Sequence, residues 1–154
     1  MRRFELEAKL AKWHRASNVS KLLASVPGVG VMGASAIAAT VTDPGMFRSG
    51  RDFAAWLGMT PRQNSSGGKE RLGGVSKRGD KYIRRLLVTG ALAVLHHARH
   101  RATADGEWVR RLLARKPAKV VAVALANKTA RIVWAVMTRG EAYQLREKFV
   151  GTAA

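Results

Sequence analysis

A chain of 154 residues, 47% of them hydrophobic, is long enough for one compact domain or two small helical lobes. Its 28 Lys and Arg against 10 Asp and Glu leave a net charge of +18, which selects a polyanionic partner, nucleic acid before an acidic membrane surface. Cysteine is absent, which excludes a disulfide framework and a thiolate zinc site and fits a reducing cytoplasm, and the start Met1-Arg2-Arg3-Phe4-Glu5 lacks the apolar core of a signal peptide.

Residues 1 to 25 read as one polar helix, with Phe4, Leu6, Leu10 and Trp13 at mixed three- and four-residue spacings. Its start looks like the continuation of something upstream, so residues 1–20 form a lead-in to a domain expected over 21–145. Within 21–41, Val26-Pro27-Gly28-Val29-Gly30 breaks the chain between two helical stretches, which matches a helix-hairpin-helix. In that motif Gly28 and Gly30 let turn amides at a helix N-terminus meet a DNA phosphate, whereas a plain interhelical turn would use them only for close packing. Asp43-Pro44-Gly45 marks a turn, and Ser49 reads as the N-cap of a short helix with Asp52 in its third position. Gly58 and Pro61 end that helix.

The span 58–79 reads as a glycine-rich basic loop, without regular structure because four glycines fall between Gly67 and Gly74. From Arg62 to Arg85 there are eight Lys or Arg against Glu70 and Asp80. Glycines admit an anion close to backbone amides, and Arg62, Lys69, Arg71, Lys77, Arg78, Lys81, Arg84 and Arg85 supply the positive field for phosphate. A bundle is expected over 80–139. Its first helix, about 80–102, has Ile83, Leu86, Leu87, Ala91, Val94 and Leu95 on one face, and cations in its first turns that oppose the macrodipole. A short helix with Trp108, Val109, Leu112 and Leu113 follows. The last helix, 118–138, has Val121, Leu125, Ile132, Val133 and Val136 as core candidates, Gly140 as its stop and a tail over 146–154. Lys119, Asn127, Lys128 and Arg131 interrupt its apolar run, so the chain reads as soluble, with no membrane partner. No strand pair is evident, and the class is all-α.

The order VPGVG, then DPGMFRSGRDFAAWLGMTPRQNSSGGKERLGGVSKRGDKYIRRLLVTGA, then KVVAVALANKTARIVWAVM resembles the C-terminal domain of the DEDD-type insertion-sequence transposases, over roughly residues 10 to 145. The resemblance implies DNA transposition, with Ser66, directly before the glycine pair, as the nucleophile that attacks a DNA phosphodiester and forms a phosphoserine link. It further implies a RuvC-like four-acid domain that binds a divalent metal such as Mg, and a structured guide RNA that pairs with donor and target DNA. That acidic domain is absent from the sequence, so a truncated or separately encoded piece is expected, one that self-associates or joins a full-length transposase subunit in the cytoplasm. The rival reading is an inactive remnant that only binds DNA or RNA, or an assembly fragment.

Other residues carry blander readings. From sequence alone a serine beside glycines is more often a turn former, Ser65 is the nearest rival for the nucleophile, and Ser76 caps or turns. His96, His97 and His100 lack an acidic or third ligand and read as surface or RNA-contacting residues, so no metal site is assigned. Trp56, Trp108 and Trp134 read as core, and Asn127 as an interhelical polar contact.

Overall fold

A computed structural model describes residues 2–59, 61–66, 69–75, 80–98 and 104–144. Seven α-helices occur among them: α1 (Arg2–Ala16), α2 (Asn18–Ala24), α3 (Val31–Thr40), α4 (Gly50–Trp56), α5 (Lys81–Ala98), α6 (Ala104–Leu113) and α7 (Ala118–Arg139). A 3-10 turn, Pro44–Met46, precedes α4, and two strands, β1 (Pro61–Ser66) and β2 (Lys69–Val75), separate α4 from α5. The packed body is all-α, as its periodicity predicts.

α7 is the axis of that body. It buries Val121, Ala122, Leu125, Ala126, Thr129, Ala130, Val133 and Val136, which at three- and four-residue spacings form one broad face covering about half of the helix. It is also long and apolar enough to cross a membrane by length and composition, but here α2, α4, α5 and α6 pack around it. α5 meets it with Ile83, Leu87, Ala91 and Leu95, an i, i+4 ridge, while Leu86 and Val94 are only half-buried. α4 comes close because Gly50 has no side chain: a Cβ there would lie 3.1 Å from the Arg131 Cα. Trp134 Nε1 donates to Pro44 O at 3.1 Å and Lys128 Nζ stands 4.7 Å over the Trp108 ring, so both tryptophans do pack into the bundle. Trp56 differs. It touches Phe47 and Phe53 yet remains 40% exposed.

Two expectations need correction. The first polar helix is broken at Ser17, whose hydroxyl accepts from Ser20 N and so caps α2. A polar chain, His14 Nδ1 to Ser20 Oγ at 2.6 Å and Ser20 Oγ to Ser35 Oγ at 3.4 Å, then ties α1, α2 and α3 together. The second concerns the basic loop, which contains an antiparallel pair of strands with Ser66 opposite Lys69 and Gln63 opposite Leu72. Glycine does not prevent this, because the ladder is made by backbone groups. Between Pro61↔Val75 and Gln63↔Leu72 the second strand advances by one residue more than the first, and Gly73 and Gly74 lie at that bulge.

Four other local predictions hold. Asp43 accepts from Gly45 N, Ser49 caps α4 through Asp52 N, Asp80 caps α5 through Ile83 N, and Gly140 stops α7 at φ +66. The tail over 146–154 lies outside the described residues.

The tightest contact in the bundle is between α5 and the turn before α3. A Cβ at Gly90 would lie 1.8 Å from Gly28 O, and Gly28 itself sits at φ +86 with Gly90 O 3.2 Å from where its Cβ would be. Gly90→Ala should therefore destabilise the fold by about 2–3 kcal/mol or more in urea unfolding, as overpacking does. Gly30→Ala, whose Cβ meets nothing within 4 Å, should shift the midpoint little.

Candidate nucleic-acid interface

The ribbon β1–β2 is bracketed by core residues that fix where it leaves the bundle. Leu57 and Met59, at its base, are fully buried at 0% and 1% exposure. Arg84 Nη1 on α5 donates to Leu57 O at 3.3 Å, and Asn127 Nδ2 on α7 donates to Met59 O at 3.1 Å. Met59 N donates to Ala54 O at 3.0 Å, which closes the end of α4 beneath them. Three elements thus hold the chain just before Pro61. Asn127 is an anchor for the ribbon, a role that periodicity could not disclose because its partner is a backbone carbonyl 68 residues away.

Register orders the residues along the ribbon. Pairs run Ser66↔Lys69, Ser65↔Glu70, Asn64↔Arg71 and Gln63↔Leu72. Paired residues of an antiparallel ladder share a face and successive pairs alternate. Positions 66, 64, 69 and 71 therefore fall on one face, combining Ser66 with Lys69 and Arg71, whereas Ser65 falls on the other with Glu70. The first set of positions thus holds two cationic residues and no carboxylate, and the second set holds Glu70.

The other predicted contacts are distributed as follows. Arg62 lies in β1 at the bulge, next to Pro61. Lys81 and Arg85 are exposed in the first turns of α5, while Arg84 is half-buried and engaged with Leu57. Lys77, Arg78, Ser76 and His100 lie outside the described residues. Gly28 is packed against α5, while Gly30 caps α3 with its Cα open to solvent space and no side chain on the first amides of that helix. The turn 25–30 thus splits the two glycines between packing and an open helix start. His96 and His97 are exposed near the end of α5 with rings edge to face at 5.4 Å. Among the described residues no group of three His, Asp or Glu is placed to hold a metal ion. Asp43 and Asp80 already accept backbone N–H groups at turn and helix starts.

Residues 20–105 match the model of the transposase IS116/IS110/IS902 family, more than half of the chain, and the chain belongs to that family. It is 51% identical over 143 residues to the y4pF/y4sB protein of Sinorhizobium fredii, covering 92% of this chain and 37% of that protein. It is 42% identical over 139 residues to the transposase for insertion sequence element IS1328 of Yersinia enterocolitica, and 39% over 140 residues to that for IS1111A of Coxiella burnetii. These matches cover 90% and 91% of this chain but only 42% and 38% of the two relatives, so the chain spans well under half of each.

If Asn127 anchors the ribbon, Asn127→Ala leaves the buried Met59 carbonyl unpaired, at a cost of about 1–3 kcal/mol. Hydrogen exchange should show faster exchange of the amides in 61–66 and 69–75, with those in the middle of α5 far less affected.

Proposed function

We propose that this chain supplies the serine-bearing, nucleic-acid-binding part of a DNA transposase, with Ser66 as nucleophile. The observation that carries this reading is the ribbon register, which groups Ser66 with Lys69 and Arg71 on one face of a ribbon anchored to the core. In the reaction, Ser66 Oγ attacks the phosphorus of a DNA phosphodiester. An Oγ–P bond forms, one P–O bond to deoxyribose breaks, the hydroxyl proton passes to a base and the departing oxygen takes up a proton. Lys69 and Arg71 stabilise the charge on the transferring phosphoryl group. Ser65, paired with Glu70, is the poorer candidate because the carboxylate repels the same phosphate.

A serine hydroxyl needs activation. The described carboxylates offer no metal-binding set, so the divalent metal of the four-acid domain would be held by residues outside the described part of this chain. A longer transposase subunit, or a second copy associated with one, is the partner that fits. The amides at the start of α3 beside Gly30, with Arg62, Lys81 and Arg85 near the ribbon base, bind phosphates of DNA and equally of a structured guide RNA. The setting is the cytoplasm.

With the four-acid domain, divalent metal and donor DNA supplied, Ser66→Ala should abolish the covalent protein–DNA adduct on a denaturing gel and Ser65→Ala should keep it. The converse pattern would sink the assignment. Binding without chemistry separates from this: Ser66→Ala should keep DNA affinity, while Lys69→Ala with Arg71→Ala should make the slope of log affinity against log salt shallower by about 2.

A further inference from the structure

The connection from α6 to α7 carries charge that neither the core nor the ribbon uses. From Arg111 to Lys119 the sequence runs Arg-Leu-Leu-Ala-Arg-Lys-Pro-Ala-Lys, with four cations and no carboxylate. Arg111, Arg115, Lys116 and Lys119 are all exposed, and none of them forms an ion pair with a described residue. The neighbouring Arg110 behaves differently, with Nη1 donating to Ala98 O at 3.1 Å, which ties α6 to the end of α5.

The corner is also rigid. Ala114 N donates to Arg110 O at 3.1 Å, and Arg115 N and Lys116 N both donate to Leu112 O, at 3.1 and 2.9 Å. Pro117 holds φ at −59, and its carbonyl accepts from Val121 N at 3.1 Å. Four like charges within nine residues repel one another, and a fixed corner cannot spread them. Folding gains nothing from this arrangement, whereas a polyanion would. A protein partner would call for buried aromatic or apolar anchors and a membrane for a broad apolar face. Here Val120, 51% exposed, is the one large apolar side chain exposed between 111 and 120.

We propose that the α6–α7 corner is a second phosphate-binding surface, which grips the backbone of the same nucleic acid that the ribbon engages. The proposal rests on the nucleic-acid reading above but on different residues, beyond the span 20–105 that matches the family model. Ala118 and Asn127 are nine residues apart on α7, about 14 Å along its axis. That axial separation equals the rise of about four base pairs of duplex.

The test compares the full chain with a variant carrying Arg111→Ala, Arg115→Ala, Lys116→Ala and Lys119→Ala on a duplex of about 30 base pairs across a salt series. A control variant neutralises Arg2, Lys9, Lys12 and Arg15, four exposed cations of α1. Circular dichroism checks that both fold. The corner variant should lose about tenfold or more in affinity, with a salt slope shallower by about 3–4, while the control changes the slope by less than about 1. Bound duplex should protect Lys116 and Lys119 from acetylation and leave Lys9 and Lys12 reactive. Equal losses in both variants, no loss in the corner variant, or a loss of binding to phosphatidylserine vesicles or polyglutamate with duplex binding unchanged would each overturn the proposal. A corner variant that binds normally while the Lys69 and Arg71 variant fails leaves the ribbon reading standing. Failure of the unaltered chain to bind duplex or structured RNA at low salt overturns both.

Discussion

The contact between Gly28 and Gly90 is the constraint that places everything else. Two backbones approach there until no Cβ fits, and α5 is thereby fixed against the turn that starts α3. Because α5 also lies along α7, its position sets where Arg84 reaches, and hence where the base of the ribbon is held. A glycine in a helix interior costs about 0.5–1 kcal/mol relative to alanine. Close packing of α5 against the turn, and through it the register of the bundle, offsets that cost.

The ribbon combines a polar, glycine-rich composition with a firm attachment. A two-stranded hairpin alone is marginal in water. Buried Leu57 and Met59, with one side-chain hydrogen bond to each carbonyl, transmit the order of the core to the first residues of β1. A group presented for chemistry gains from such support, since misplacement by about 1 Å can cost on the order of 100-fold in rate. Division of labour among the basic residues follows. Arg84 and Arg110 bond backbone carbonyls and build the frame, while their exposed neighbours Arg85 and Arg111 remain available to a partner.

Much of the fold was legible because its signals are local. Ser49, Asp80 and Gly140 announce helix ends by chemistry that needs only the next few residues, and the apolar ridge of α5 shows in its spacing. Ser17 was missed because α1 and α2 have similar composition, and only the hydroxyl's bond to Ser20 N marks the boundary. The ribbon was missed because its residues do not alternate between apolar and polar; the signal present was the Gly67-Gly68 pair between segments able to pair. The two glycines of the turn, Gly28 and Gly30, read alike in sequence. Only the position of α5 distinguishes Gly28, which packs, from Gly30, which does not. The role of Asn127 depends on a partner distant in sequence, as does that of Gly90.

The placement of α7 bears on how the chain is made. Its bonds reach back to Met59 and Pro44, and just beyond it Tyr143 N donates to Ser25 Oγ, 118 residues earlier. On the ribosome, synthesis proceeds from the N-terminus at about 5–20 residues per second. α2, α4 and α5 therefore emerge with their inner faces open and wait several seconds for the helix that covers them. Until then the bond from Asn127 to Met59 O is missing, and only Arg84 and the end of α4 hold the base of the ribbon.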